Sequence, residues 1–444
     1  MSLRTFDQLI GCVRKCIAAF PDRRTGLNKK YSMADLGLSA FSVFYTQCPS
    51  FLAQQKVMQQ NKGKSNAQML FQIEEIPSDN HVRDVLDAVP PEELFPVYDE
   101  IYDSLREQGV LTKFLGFQGT TGIALDGTWY FESGKIHCPN CSTIEHKNGS
   151  ITYYHSAVTP VIVAPGQCHA IALRPEFITP QDGHNKQDCE IAASKRWLDK
   201  EGSRYLSGLN RNATLLGDDL YAHQPFCRRV LTHSYHFIFT CKPDSHTHLY
   251  KWVGDLESGH ELHTVTMRVD NKGHWDTHTY RYANGAPLIE GEGALQVNWC
   301  EVSITSDKGE IRYHNAWITD WKITDANVAG LVALGRARWK IENENNNTLK
   351  TKGYHLEHNF GHGQKHLSSL LATMNMLALL THTFLTFCDE NYQLIRATLP
   401  TRQAFFDDIR ALLRYICFSS WGAMLDFMLR GLEIGPYVPT PQDA

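Results

Sequence analysis

Along the first 115 positions apolar residues recur every three or four places, at Leu9, Ile10, Val13 and Ile17 and again from Ala34 to Leu52. That spacing predicts helices with one buried face. Ser78, Asp79 and Asn80 before HVRDVLDAV form a helix-start signal, and Pro90 and Pro91 stop that helix before EELFPVYDEIYDSLREQG. Residues 1–115 therefore form a helical N-terminal domain.

From Gly116 the period shortens to two. FQGTTGIALDGTWYFES, SITYYHSAVTPVIVA and HAIALRPEFI predict strands, KQDCEIAASKRWLDKEG a helix, and ATLLGDD and HFIFTCK two more strands. Three strands, a helix and a strand begin a mixed α/β sheet over 116–243. Residues 244–312 alternate polar and apolar through HLYKWV, LHTVTMRV, HTYRYAN, LQVNWCEVSIT and GEIRYHNAWIT. Turns fall at Asp270, Asn271, Lys272 and Gly273 and at Ser306, Asp307, Lys308 and Gly309. This block is a β-rich insertion. Helical spacing returns in 313–390, where Thr324 and Asp325 are candidate caps for NVAGLVALGRARWKIEN and LSSLLATMNMLALLTHTFLTF is an apolar helix. Residues 391–444 add a C-terminal helical region and a proline-rich tail.

The densest polar stretch is GRARWKIENENNNTLKTKGYHLEHNFGHG, Gly335 to Gly363. Its first half has helical spacing up to a stop at Gly353, which sets Arg338 and Glu342 at i,i+4 on one face. An exposed ion pair is the ordinary fate of such a pair. Here Trp339 and Ile341 are expected to anchor the helix on a core, and Asn343, Asn345, Asn346 and Asn347 flank the glutamate. A carboxylate on a rigid element suits a metal ligand.

Composition narrows the classes. The chain has 444 residues, 42% of them hydrophobic, enough for sizeable cores. No run of eighteen apolar residues occurs and MSLRTFDQLIGCVRKC has no apolar leader, so no membrane span or secretion is expected and the cytoplasm is the default. A net charge of −5 excludes a globally basic protein, and any nucleic-acid site must be local. Two basic runs qualify: Arg14, Lys15, Arg23, Arg24, Lys29 and Lys30, and Arg336, Arg338, Lys340, Lys350, Lys352 and Lys365.

The twelve cysteines are expected as reduced thiols or metal ligands. In KIHCPNCSTIEH, Cys138 and Cys141 follow His137 and make a zinc-knuckle-like half site. Completing it would take His146, His155, Cys168 or Cys189; free thiols are the alternative. His358, His362 and His366 have helical ligand spacing, but Gly361 and Gly363 break a helix there, which favours a loop that orders an active site or contacts DNA. Around KQDCEIAASKRWL, where Glu176, Asp182, Asp188 and Glu190 concentrate, Ile191, Ala192, Trp197 and Leu198 predict packing, with Asp188 or Glu190 as candidates to assist a metal site. Trp129 and Tyr130 are expected in the core.

Asp126 and Asp218 lie at predicted strand ends, which a single sheet can bring beside each other and beside Glu342. Three carboxylates can hold two Mg²⁺ (or Mn²⁺) ions, which activate a water or 3′-hydroxyl and stabilise the leaving oxygen in phosphoryl transfer. At these residues the chain resembles the DDE transposases of bacterial insertion sequences. The resemblance lies in ALDGTWYF around Asp126, LLGDDLY with Asp218 followed by Tyr221, and RWKIENENNNTLK with Arg338 and Glu342, over roughly residues 116–385. Two positions depart from the family signature: Gly335 stands where it has tyrosine, and its lysine falls one residue late at Lys350, with Lys352 as competitor.

The resemblance implies an RNase H-like mixed sheet with a β-rich insertion before the glutamate. It implies Asp126, Asp218 and Glu342 as catalytic metal ligands, and Arg338, Lys350 and Lys352 as DNA-phosphate contacts. It also implies double-stranded transposon ends and target DNA as partners, a homodimer or higher synaptic complex, and a nucleoid-associated location; the N-terminal helical domain is then either the part that binds DNA ends or a scaffold or dimerisation domain. The alternatives are an RNase H-like nuclease or resolvase without strand transfer, and a domesticated, non-catalytic DNA-binding protein.

Overall fold

Residues Ala213–Gly217 (β8) form a strand in which every side chain is buried, as are those of Thr121–Ala124 (β1) and Val161–Val163 (β5). Strands this apolar need cover on both faces. A computed structural model describes residues 3, 5–26, 29–180, 190–271 and 273–434 of the chain; Asp182, Asp188, Cys189 and Lys272 lie outside them.

The architecture is mixed α/β, around a nine-stranded mixed sheet. β1 pairs in parallel with β8, Ala124 opposite Leu216, and β8 in parallel with His236–Thr240 (β9). On the other side β1 pairs antiparallel with β5, and β5 with Ile171–Ala172 (β6). Beyond β9 the sheet continues antiparallel through Ile311–Thr319 (β13), Gln296–Ser306 (β12), His274–Pro287 (β11) and His263–Asn271 (β10). A smaller sheet joins Gly127–Ser133 (β2), Ser142–Glu145 (β3), Ile151–Val158 (β4) and Glu176–Ile178 (β7). β2 and β4 prolong β1 and β5, so the long strands expected from the sequence are each split. The split beside Asp126 is bridged by a hydrogen bond from Thr159 N–H to Asp126 O, 3.0 Å.

The helices preceding the sheet are Phe6–Ala18 (α1), Met33–Tyr45 (α2), Phe51–Met58 (α3), Asn61–Phe71 (α4), Asp79–Leu86 (α5) and Phe95–Glu107 (α6). α1 and α2 begin with capping boxes, at Thr5/Gln8 and Ser32/Asp35. Glu190–Gly208 (α7) packs on β4 and β7, and Gln224–Thr232 (α8) on α7 and β9. HLYKWV is not a strand: it belongs to the helix Thr247–Ser258 (α9), which packs on β11. Its mixed pattern also fits a 3.6-residue period, with Leu249 and Val253 four apart and buried. The two turns of the β block stand, closed by Gly273 N–H to Asp270 Oδ1 and Gly309 N–H to Ser306 O, each 2.9 Å.

Val328–Arg336 (α10) follows, capped at Asn327 rather than at Thr324 or Asp325; Asp325 instead accepts from the Tyr282 hydroxyl, 2.7 Å. The chain then winds through a 3₁₀ turn, Ala337–Trp339, and a π-helical turn, Ile341–Asn346, into Asn347–Thr351 (α11). The single helix expected from Gly335 to Gly353 is thus three helix types in succession. Ile341 anchors it, fully buried, but Trp339 is 46% exposed. Gly335 has a packing reason: a Cβ there would meet Ile238 Cγ2 and Trp317 Nε1, each at 3.0 Å.

Leu367–Cys388 (α12) is the one helix among the described residues long and apolar enough to cross a membrane, and it is 89% buried inside the protein. Around it pack α2, α5, α6 and Glu390–Thr398 (α13), with Arg402–Tyr415 (α14) and Trp421–Gly431 (α15) behind. Phe6 stacks on Trp421 at 4.4 Å and Tyr45 tilts against His382 at 4.8 Å, so the two ends of the chain share one core.

The loop before α12 is fastened by Asp87, whose carboxylate accepts from the backbone N–H groups of Gln364, Lys365 and Leu367 at 3.0–3.1 Å. Replacing Asp87 with Ala strands three donors and is expected to cost about 2–4 kcal/mol. Equilibrium unfolding checks the cost, and amide exchange should accelerate first at Gln364, Lys365 and Leu367.

Candidate functional site

Asp126 lies two residues beyond the last β1 pair and Asp218 two residues beyond the corresponding position of β8, so the parallel register sets them side by side at the carboxyl ends of two interior strands. Asp218 begins a 3₁₀ turn and accepts from Leu220 N–H at 2.9 Å. Its neighbour Asp219 is occupied elsewhere: it accepts from Lys242 N–H at 2.6 Å, tying β8 to the end of β9, and faces the buried His246.

Burial raises the Asp126 pKa to about 7, helped by the negative charges of Glu190, Glu342 and Asp218 and opposed by Arg338. The two strand-end aspartates and the helix-borne glutamate therefore belong to one electrostatic cluster with Arg338 inside it. They do not converge on one ligand point. Glu342 is half exposed and its Oε1 takes a hydrogen bond from Arg338 Nη2 at 2.9 Å.

Two further residues join the cluster, Glu190 and Asn346. Glu190, the first residue of α7, brings a fourth carboxylate; a Cβ on Gly127 would lie 2.4 Å from its Oε2. Burial raises its pKa and Asp218 adds to the rise, while the Tyr221 hydroxyl, donating at 2.6 Å, lowers it. Tyr221 also meets Ser194 Oγ at 3.1 Å. Asn346, in the asparagine run, donates from Nδ2 to Asp126 Oδ2 at 3.1 Å and accepts from Thr159 Oγ1 at 2.9 Å. Its neighbour Asn345 donates to the same Asn346 Oδ1 at 3.0 Å. The sequence signal was there, since four asparagines beside a helical glutamate need partners, but periodicity does not say which of them faces inward.

The π-helical turn bears on Lys350, which the resemblance expects one place earlier. Eight α-helical steps from Glu342 to Lys350 would leave the lysine about 80° off the glutamate's side, against about 20° for seven. Smaller steps of about 82° through the π turn bring the eight back to within about 20° of two whole turns. The bond that marks it runs from Asn347 N–H to Glu342 O, five residues back. Lys350 pairs with Glu357 at 2.8 Å, and Lys352 is exposed. Lys340 is not part of an exposed basic run: it is buried, and its ammonium donates to Gln167 O. Trp129 is likewise no core residue, being 39% exposed and stacked on Tyr154; Tyr130 is buried as expected.

A second cluster lies along the β2–β4 hairpin. The thiols of Cys138 and Cys141 and the Nε2 atoms of His155 and His362 lie within 4.8 Å of one another, all four residues buried, a group that could hold a metal ion. His155 was among the expected completions. His362 was expected to order a loop, while His146 instead bonds Thr152 and Cys168 is exposed. The hydrogen bond from Cys141 holds the Cys138 thiol well below its usual range, with the imidazoles helping, and the same bond pushes Cys141 up.

No known protein family matches the chain, and no curated protein matches it. The site's chemistry is read from its residues.

The raised Asp126 pKa has a thermodynamic consequence with a definite sign. An unfolded aspartate titrates near about 3.9, so between pH 4 and 7 the folded chain binds a proton that the unfolded chain releases. Stability contributed by this group is therefore lost as pH climbs through that window. Without added Mg²⁺ or Mn²⁺, Asp126→Asn should flatten the slope and be more stable at pH 7 by about 1–3 kcal/mol. Denaturant unfolding at pH 4.5 and 7 checks it; a variant less stable at pH 7 contradicts it.

Proposed function

We propose that this chain is a DDE transposase of an insertion sequence, binding the terminal inverted repeats of its element and catalysing DNA cleavage and strand transfer from an RNase H-like core. The observation that carries the reading is the register of β1 and β8, which sets Asp126 beside Asp218, with Glu342 and Arg338 charged against them from the helix after a β insertion. Further support is the strand order β6-β5-β1-β8-β9, three strands antiparallel in sequence and two parallel additions, the order expected of an RNase H-like sheet. β10–β13 then extend that sheet where the family carries its insertion.

Asp126, Asp218 and Glu342 would hold the Mg²⁺ or Mn²⁺ ions. Asp126 and Asp218 fit, since a buried carboxylate such as Asp126, pushed toward neutrality by acidic neighbours, is the environment a divalent cation relieves, and Glu342 joins them only once it leaves Arg338. Bound there, the ions would supply activation of a water or 3′-hydroxyl and stabilisation of the leaving oxygen. The chain's own groups do the rest. Asn346 and Thr159 orient Asp126, and Tyr221 holds Glu190 against the Gly127 backbone. Arg338 is bound to Glu342 without DNA and exchanges that carboxylate for a backbone phosphate when DNA arrives, which frees Glu342 to ligate. Lys350, returned to the Glu342 side by the π turn, makes a second phosphate contact, and Lys352 lies at the rim. The helical N-terminal region binds the ends, and two or more copies form the synaptic complex in the nucleoid-associated cytoplasm.

Glu342→Ala should retain binding to end DNA while Mg²⁺-dependent cleavage falls by more than the about 10–100-fold typical of an outer-shell change. Cleavage that survives in Glu342→Ala sinks the assignment. Incubating pre-cut ends with plasmid separates the classes: joint products mark a transposase, cutting without joining marks a nuclease or resolvase, and binding alone marks a non-catalytic DNA-binding protein.

A further inference from the structure

We propose that Cys138, Cys141, His155 and His362 form a closed tetrahedral zinc site that fastens the β2–β4 hairpin to the segment joining Glu342 to α12. The inference does not rest on the nucleic-acid reading.

Five of the six edges among the ligand atoms have the lengths of the right tetrahedron, and the sixth lies within 4.8 Å. Zn–S bonds of about 2.3 Å and Zn–N bonds of about 2.0–2.1 Å require edges of about 3.8 Å between sulfurs, 3.5 Å between sulfur and nitrogen and 3.3 Å between nitrogens. The two sulfurs are 3.9 Å apart. Cys138 Sγ lies 3.5 Å and Cys141 Sγ 3.4 Å from His155 Nε2, and Cys141 Sγ lies 3.4 Å from His362 Nε2. The two Nε2 atoms are 3.2 Å apart. A disulfide would need about 2.0 Å between the sulfurs.

The outer contacts fix the state a zinc ligand needs. His362 Nδ1 lies 2.9 Å from Gly363 O; a carbonyl only accepts, so Nδ1 carries the proton and the neutral ring presents the Nε2 lone pair to the centre. His155 stacks parallel to Tyr130, and His362 leans on Phe131 with ring centres 4.4 Å apart. Two thiolates and a Zn²⁺ sum to zero charge, which suits a site where all four ligands are buried. Thiolate and imidazole donors exclude Mg²⁺ and Ca²⁺, which take oxygen. Four protein ligands leave no position for water, so the site is structural.

Its place in the fold explains what it holds. Cys138 and Cys141 lie between β2 and β3, His155 on β4, and His362 on the stretch after α11, 207 residues from His155. β2 begins at Gly127, directly after Asp126. The site therefore clamps the prolonged hairpin that carries Asp126 to the segment that follows Glu342 and Lys350. Asn140 Nδ2 donates to Lys365 O at 2.8 Å across the same seam.

The test uses the full chain, purified without added metal. Elemental analysis should give one zinc per chain, and zinc X-ray absorption should fit two sulfurs and two nitrogens. Thiol reagent should label the exposed Cys168 and Cys417 in the native protein but reach Cys138 and Cys141 only after a strong chelator. Cys138→Ser and His362→Ala should lose the zinc, while Cys168→Ser and His146→Ala keep it. Substoichiometric zinc with Cys138 and Cys141 reactive in the native protein overturns the proposal, as does an absorption spectrum without sulfur ligands. Should the ligand variants fail to fold, the wild-type absorption spectrum and thiol labelling still decide.

Discussion

The candidate site depends on one constraint: the parallel pairing of β1 with β8 in the part of the sheet that is buried on both faces. Parallel register leaves no freedom in which ends meet, so Asp126 and Asp218 emerge together. The burial that makes the strands pair also desolvates the carboxylate at their exit, which is why the Asp126 pKa climbs to about 7. Fold and chemistry share a cause here. The electrostatic discomfort of four acidic groups is tolerated in the folded chain by Arg338 and Asn346, both from the stretch after α10, and by the Tyr221 hydroxyl from the turn after β8.

The segment from Gly335 to Gly363 fits into that constraint by changing its helical pitch. Gly335 lets α10 lie against Trp317 and Ile238. The π turn then absorbs one residue, so Asn346 reaches Asp126 while Leu349 and Ile341 stay buried. A π turn inside a helix is often found at functional sites, and here it turns Lys350 back toward the Glu342 side of the helix. After the turn the chain is caught twice, by Asp87 at the backbone of 364–367 and by His362 at the thiol cluster.

Much of this was legible in the sequence and some was not, for physical reasons. The strands around Asp126 and Asp218 announce themselves by apolar runs, and the β block by alternation and by its turns. Asp218 was separable from Asp219 only through the family resemblance, and the structure gives a physical difference: Asp219 is consumed by the Lys242 amide. HLYKWV was misread because six residues fit both periods. The inward asparagine, the 3₁₀ and π turns and the exposure of Trp339 depend on tertiary packing, to which a linear pattern is blind. The CxxC was legible as half a site, but His362 comes from more than 200 residues away, on a glycine-broken stretch whose own spacing suggested something else.

The central claim, that Asp126, Asp218 and Glu342 hold divalent cations beside a DNA backbone, is tested most directly by a crystal of the protein with end DNA soaked in Mn²⁺ and measured at the manganese edge. The account predicts anomalous density in contact with the Asp126 and Asp218 carboxylates, with Glu342 released from Arg338 and Arg338 on a phosphate. Manganese absent from these carboxylates, with the Arg338–Glu342 pair intact against bound DNA, would contradict it.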